Sequence, residues 1–183
     1  MDIQNIESQL AELKSQVDSL RQDVAEDKVT IAVFSGELDK LMSAFTIAIG
    51  AVAMGMEVVM YFTFWAIPAL RDRNKALENK ERTEKILGAN LPLGAGELKL
   101  AEPNPGGIDT TAFKALMEKN NIPSLEQMMF MAAELGVRIY LSDKSTEWLG
   151  FRRDEFIDYP GLDFAGVATF LHEAKNSRVQ LII

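Results

Sequence analysis

The apolar run Met42–Leu70 constrains the fold more than any other feature of the sequence, because its only formal charge is Glu57. A membrane-spanning helix needs about 20 consecutive apolar residues, so the run is long enough to cross a bilayer. An ionised Glu57 in mid-run would, however, cost about 2.5 kcal/mol or more there. The composition also changes at Gly55, from alanine-rich to β-branched and aromatic. We therefore predict a buried helix followed by a buried strand, in a soluble core that also contributes to a subunit interface.

Residues 1–26 carry a regular apolar repeat, in which the apolar positions are separated alternately by three and four residues. These positions are Ile3, Ile6, Leu10, Leu13, Val17, Leu20 and Val24. Such a narrow seam over about three heptads is typical of a coiled coil. The alternative is an amphipathic helix lying on its own domain, although such helices usually show a wider apolar stripe. We predict a coiled-coil oligomerisation helix.

Residues 27–183 alternate between strand-like and helical segments. The strand-like segments are 28–35, 57–64, 137–142 and 178–183, and the helical ones include 71–85, expected on the surface, and 164–177. Short turns between them predict an α/β domain, a three-layer sandwich around a mostly parallel sheet of about five strands. Residues 88–107, with three prolines and five glycines, are predicted to be a long loop, either mobile or a flap over a site.

Composition excludes several classes of function. A net charge of −8 argues against nucleic-acid binding, because there is no basic excess to displace phosphate counterions. The absence of cysteine rules out disulfides and thiolate metal sites, and His172 is the only histidine, so no metal site is expected. His172 is expected to be a surface or structural residue, with a general base as the alternative. No secretory signal is visible, so a cytoplasmic location without membrane association is expected.

Ligands of open parallel sheets bind beyond the carboxyl ends of the strands. The predicted strand ends bring six candidates to that edge: Ser35, Gly36, Thr63, Trp65, Ser142 and Asp143. Ser35-Gly36 leads into a helix whose free N–H groups could hold an anion, or Ser35 caps that helix while Gly36 makes the turn. No nucleotide-binding pattern accompanies these residues, and no cofactor is expected.

The order of these segments resembles a known family. The stretch "VTIAVFSGELDKLMSAFTIAIGAVAMGMEVVMYFTFWAI" is similar to the first half of DsrE/DsrF-like proteins, the sulfur-relay family, in the branch with a helical N-terminal extension. The stretches "NNIPSLEQMMFMAAELGVRIYLS", "EWLGFRRDEFID" and "FAGVATFL" continue the likeness, which covers about residues 28–175. The resemblance implies a parallel five-stranded α/β fold, assembly into trimers or hexamers, and cytoplasmic partners in sulfur transfer or redox metabolism.

The same resemblance exposes a departure. Members of the family that carry sulfur do so on a cysteine just after the strand equivalent to "VRIYL", and Ser142 stands at that position here. A serine hydroxyl cannot hold a persulfide, so the sulfurtransferase activity is not carried over. Ser142 either binds a ligand by hydrogen bonds or is a vestige. The leading hypothesis is an oligomeric binding or scaffold partner in sulfur-relay or redox metabolism rather than a sulfurtransferase. The alternatives are an enzyme or small-molecule binder around Ser35 and Ser142, and a membrane-associated subunit.

Overall fold

The computed structural model describes residues 3–22, 25–75, 90–104 and 106–183. An N-terminal helix, α1 (Ile3–Gln22), precedes a domain that alternates strands and helices. The strands are β1 (Glu26–Val33), β2 (Glu57–Phe62), β3 (Arg138–Ser142), β4 (Leu162–Ala165) and β5 (Ser177–Ile182). The helices are α2 (Leu38–Ala53), α3 (Thr110–Lys119), α4 (Leu125–Glu134), α5 (Asp143–Trp148) and α6 (Val167–Asn176).

The five strands form one parallel sheet in the order β4-β3-β2-β1-β5. From β1 to β4 each new strand is added on the same side, and the connection through α6 then returns the chain to the far side of β1. Because parallel crossovers are right-handed, this reversal places α6 on the face opposite α2. The prediction of an α/β fold around a five-stranded parallel sheet is confirmed.

One face of the sheet carries the hydrophobic core. Alternate residues of the central strands point to it, including Ile31, Met60 and Ile139, all fully buried. The helix α2 covers this face with Leu41 and Phe45, four residues apart on one side of the helix. The first part of the Met42–Leu70 run is thus mostly this helix, and the second part is β2 followed by a 3₁₀ helix. Among the described residues no helix is both long and apolar enough to span a membrane.

The opposite face of the sheet is more polar and lies under α6. Lys28 and Thr30 of β1 are buried there, beneath Glu173 of α6. Lys28 donates to Glu173 at 3.0 Å, and Arg138 of β3 contacts the same carboxylate at 3.1 Å. The hydroxyls of Thr30 and Ser177 share a hydrogen bond at 2.7 Å. Paired charges and hydrogen bonds therefore hold α6 to the sheet.

Several predicted helix ends agree with the structure. Asp109 caps α3 by accepting hydrogen bonds from the amides of Thr111 and Ala112, and Ser124 forms a capping box with Gln127 at the start of α4. Gly55 follows the end of α2 with a φ of 82°, a left-handed conformation that glycine adopts without steric cost.

Several segments differ from their predictions. Residues 164–165, predicted to begin a helix, instead complete β4, and α6 begins only at Val167. Residues 63–64, predicted to end a strand, lie outside β2, and a 3₁₀ helix (Phe64–Leu70) follows. Arg71 was predicted on a solvated helix, yet it is 2% exposed and pairs with Glu155 at 3.4 Å. Most of that predicted helix, residues 76–85, lies outside the described residues.

The helix α1 is confirmed, and the described part of its apolar seam faces solvent. The described side chains of α1, at residues 6, 7 and 9–17, are all exposed. They include the seam residues Ile6, Leu10, Leu13 and Val17, which are 45–58% exposed. A row of exposed aliphatic side chains is typical of a helix that packs against a partner helix. The coiled coil itself stays a prediction.

Candidate functional site

The carboxyl ends of β1 and β2 open into a pocket of 700 Å³, the strand-end pocket. The pocket is lined by Phe34, Ser35, Gly36, Glu37, Lys40, Trp65, Pro68, Leu91, Pro92 and Ile183. It lies beside β1, where the strand order reverses, which is where open α/β sheets bind ligands. Three predicted site residues, Ser35, Gly36 and Trp65, are thereby brought together.

Gly36 permits a close approach of two loops at this pocket. A Cβ added to Gly36 would overlap the carbonyl oxygen of Trp65 and lie 3.0 Å from its carbonyl carbon. The loop after β1 and the loop after β2 therefore touch backbone to backbone. Only glycine fits there, so Gly36 sets the position of Trp65 at the pocket wall.

The first turn of α2 is already engaged with the protein. Glu37 rather than Ser35 is the N-cap residue, and the first helical amide, of Leu38, donates to the carbonyl oxygen of Lys99 at 2.7 Å. Ser35 Oγ instead donates to the Glu37 carboxylate at 2.8 Å. Hydrogen bonds from Lys40 and then Ser35 hold the pKa of Glu37 below its ordinary value. Glu37 thus places a carboxylate at the N-terminus of α2, which the sequence suggested as a possible anion site.

At the carboxyl ends of β2 and β3 the predicted site residues Thr63 and Ser142 lie in a buried hydroxyl cluster, together with Ser145 and Thr146, which were not predicted. Ser142 Oγ accepts from the amide of Ser145 at 3.3 Å and so caps α5. Thr63 and Ser145 share a hydrogen bond at 2.8 Å, and Thr146 donates to the Ser142 carbonyl at 2.8 Å. These side chains are 2–6% exposed. The cluster therefore ties the ends of the two strands together.

An exposed aromatic group stands next to these hydroxyls, which we name the aromatic rim: Phe64, Trp65 and Trp148. Phe64 has a φ of 46°, rare for a bulky residue, and its ring lies 5.7 Å from that of Trp148. The three side chains are 39%, 59% and 63% exposed. Strained backbone conformations are concentrated at functional sites, and exposed tryptophans are enriched at protein-binding surfaces.

Sequence reasoning found Trp65 but missed Phe64 and Trp148. The signal for Phe64 is visible in "FTFW", where aromatic residues continue past the end of the strand. Trp148 ends a six-residue helix, α5, and nothing in its sequence neighbourhood indicates that its ring meets Phe64. Only the parallel pairing of β2 with β3 brings these rings together.

The remaining predicted residues lie at the edge of this region. Asp143, which follows Ser142, accepts from Arg153 at 2.9 Å in an exposed ion pair. His172 is exposed on α6 and its Nε2 lies 3.3 Å from the side-chain amide of Asn176. Within the described ranges no group of three or more histidine, aspartate or glutamate side chains is placed to hold a metal ion.

Comparison with known proteins identifies the family. The chain is 36% identical to the uncharacterized protein YrkE of Bacillus subtilis over 156 residues, which cover 85% of this chain and 96% of that protein. It is 29% identical over 161 residues to the sulfur carrier protein DsrE2 of Allochromatium vinosum, covering 85% of this chain and 98% of that protein. The sequence model of the DsrE/DsrF/DrsH-like family matches residues 25–182, the whole α/β domain. The chain belongs to the DsrE/DsrF/DrsH-like family.

Proposed function

We propose that this protein acts by binding a sulfur-relay or redox protein at the aromatic rim, and that it does not itself carry sulfur. The observation that carries this proposal is the exposure of Phe64, Trp65 and Trp148 at the strand ends, around a strained Phe64 backbone. Tryptophan is among the residues that contribute most to protein interfaces, because it buries a large rigid ring. The family relationship to a protein named as a sulfur carrier supports the choice of partner class.

The chemistry of the neighbouring hydroxyl cluster supports a role without covalent transfer. The chain contains no cysteine, and sulfane sulfur moves by attack of a thiolate on a sulfur atom. Ser142, at the position expected for the family cysteine, uses its hydroxyl to cap α5. The aromatic rim therefore lies beside a buried, hydrogen-bonded serine rather than beside a thiol nucleophile.

The two tryptophans provide a direct assay, because Trp65 and Trp148 are the only ones in the chain and both lie in the aromatic rim. Purified sulfur-carrier proteins and thiol oxidoreductases that lack tryptophan, natively or by substitution, are titrated into the protein, and its fluorescence is followed. A true partner is expected to shift the emission to shorter wavelength, since binding removes water from the indole rings.

Substitution separates the aromatic rim from the rest of the surface. Trp148→Ala is expected to weaken a partner's binding by about tenfold or more, as truncation of an interface hot spot does. Leu116→Ala, on α3, removes a comparably exposed apolar side chain outside the rim and is expected to leave the affinity unchanged. Equal effects of the two substitutions on calorimetric affinity would contradict the proposal.

A separate measurement addresses sulfur transfer. After incubation with a persulfide donor, the wild-type mass is expected to show no added sulfur atom, because the chain has no thiol acceptor. Stable sulfur uptake by the wild-type chain would overturn a pure binding role.

We also propose that the protein is a cytoplasmic homo-oligomer, a trimer or hexamer, with α1 pairing through its exposed seam. The exposed Leu10 and Leu13 on α1 support self-association, and a trimer or hexamer is what the resemblance to the family implies. Native mass spectrometry of the full chain gives the subunit count, and a monomer at micromolar concentration would refute this proposal.

A small-molecule role is a second candidate, favoured by the strand-end pocket. Its 700 Å³ fall within the range of ligand sites, and Ser35, Glu37 and Lys40 supply polar groups beside the indole of Trp65. A ligand retained through purification and lost in Ser35→Ala would favour this role over protein binding.

A further inference from the structure

A separate pocket of 640 Å³, the α4 pocket, lies on the core side of the sheet and shares no lining residue with the strand-end pocket. One face of α4 forms a wall, because Glu126, Met129, Phe130, Ala133 and Glu134 recur at the helical spacing of three and four residues. Ala69, in the segment after β2, and Ile157 and Tyr159, in the loop before β4, complete the lining of the pocket. The pocket has the size and apolar lining of small-molecule sites.

Two glycines shape the mouth of this pocket. A Cβ at Gly94, whose φ is 107°, would lie 2.7 Å from the carbonyl oxygen of Arg71. A Cβ at Gly96 would lie 2.9 Å from a carboxylate oxygen of Glu126. Because the Gly94 contact is with backbone, the loop lies tightly against Arg71 there, whereas the flexible Glu126 side chain could move away from Gly96.

The charges around the α4 pocket are unbalanced. Arg73 pairs with Glu97 at 2.8 Å, and Arg71 pairs with Glu155 at 3.4 Å, so both lining arginines face a carboxylate of the chain. Glu126 and Glu134 stand at the two ends of the α4 wall and are exposed. In the part of the chain that the structure describes, neither glutamate has a cation within ion-pair distance.

We propose that the α4 pocket binds a small apolar molecule that carries a positive charge, such as an aromatic amine or a quaternary ammonium compound. The apolar body packs against Met129, Ala133 and Ile157, and the cation lies near Glu126 or Glu134. The ring of Phe130, 67% exposed at the pocket wall, adds an aromatic face that attracts cations. This inference is independent of the proposed protein partner, because it uses other residues.

The test compares three ligands of one shape on the full-length protein by titration calorimetry. The probes are naphthylmethyl-trimethylammonium, its neutral analogue with a tert-butyl group in place of the ammonium, and naphthylmethanesulfonate. The cation is expected to bind at least tenfold more tightly than the sulfonate and more tightly than the neutral analogue. A preference for the neutral or the anionic probe, or no binding of the cation, would overturn the proposal.

Substitutions locate the binding. Glu126→Gln and Glu134→Gln are each expected to lower the cation's affinity about two- to fivefold, as removal of a single exposed charge does, with the neutral probe unaffected. Ala133→Phe fills the pocket and is expected to abolish binding of both probes, whereas Glu12→Gln, on α1, is the matched control. Unchanged affinities in the glutamine variants would overturn the proposal, even where Ala133→Phe fails to fold. A variant in which a glycine-serine linker replaces residues 76–89 gives a further test. Binding of the cation to this variant but not to the wild type would also overturn the proposal, because the wild-type chain would itself compete for the pocket.

Discussion

At the scale of single residues, Ser142 shows what a sequence pattern can and cannot predict. Its place at the end of β3 follows from the apolar strand before it, and the structure confirms that place. Its burial does not follow, because 6% exposure results from α5 turning back over the strand ends and from Thr63 reaching Ser145. Those contacts join residues about eighty positions apart, which no local pattern reports.

A thiol at this position is expected to be poorly reactive. In Ser142→Cys the sulfur would be buried and would replace a hydroxyl that caps α5, so we expect a loss of about 1 kcal/mol in the free energy of unfolding. Alkylation should be slower than in Ser43→Cys, whose side chain is exposed on α2. Alkylation rates measured by mass spectrometry check this. If the Ser142→Cys thiol is alkylated as fast as the exposed control, the hydroxyl cluster at the ends of β2 and β3 opens in solution.

At Gly36 the structure leaves no room for a side chain. Gly36→Ala would place a Cβ against the Trp65 carbonyl, so we expect a loss of about 2 kcal/mol or more in the free energy of unfolding. The tryptophan emission should also change, because Trp65 moves.

Gly50 offers the matched control for that substitution. It lies within α2 with nothing within 4 Å of an added Cβ, and alanine is the better helix former. Gly50→Ala is therefore expected to raise stability by about 0.5–1 kcal/mol. Urea denaturation of both variants decides the matter, and equal stabilities would refute the role assigned to Gly36.

At the scale of elements, strong local signals predicted structure well. The capping residues Asp109 and Ser124 begin helices as predicted, because their side chains bond to amides only two or three residues away. The edge strand β4 was missed because its four residues carry no period and are defined by pairing with β3. Arg71 was misplaced because charge density predicts solvent exposure, while its partners Glu155, Leu91 and Pro92 are distant in sequence.

The seam of α1 leads to a prediction about assembly. Replacing Leu10 and Val17 together by lysine puts charge into the apolar seam, which should weaken a coiled coil and lower the mass in solution. The circular dichroism of the α/β domain should be preserved. The control is the double variant Gln9→Lys with Ser15→Lys, which adds the same charge outside the apolar seam. Identical masses by sedimentation for both double variants would leave the seam without a role in assembly.

At the scale of the whole molecule, the two faces of the sheet are held by different forces. The core face excludes water with aliphatic and aromatic side chains, whereas the α6 face combines the ring contact of Tyr61 and Phe170 with the ion pairs of Glu173 with Lys28 and Arg138. Lys28 also contacts Glu26, so the lysine is shared between two carboxylates. The connection that carries the chain across to β5 is therefore secured by charge, which makes it sensitive to pH.

The fall in the free energy of unfolding at acid pH should therefore depend on Glu173. Burial alone would raise the pKa of Glu173, but the hydrogen bond from Lys28 and the charge of Arg138 outweigh it, and the folded-state pKa lies below the ordinary 4.5. A carboxyl with a lowered folded-state pKa stabilises the fold above its unfolded-state pKa, because the unfolded chain takes up the proton first. That contribution is lost as the pH falls below about 4.5 and through the folded-state value.

Glu173→Gln removes this contribution and leaves Lys28, whose side chain is 6% exposed, with only Glu26. We expect a loss of about 2 kcal/mol in the free energy of unfolding at pH 7, because the buried Lys28 keeps Glu26 but loses one charge-assisted hydrogen bond. The variant's stability should then fall less steeply than the wild type's between about pH 5 and 3, since one titrating group is gone. Glu147→Gln, whose exposed pair with Lys144 is worth about 1 kcal/mol or less, should follow the wild-type curve. Urea titrations across this pH range measure the difference. If the free energy of unfolding falls equally steeply with pH in Glu173→Gln and in the wild type, the ion pairs beneath α6 do not govern the stability of the domain at acid pH.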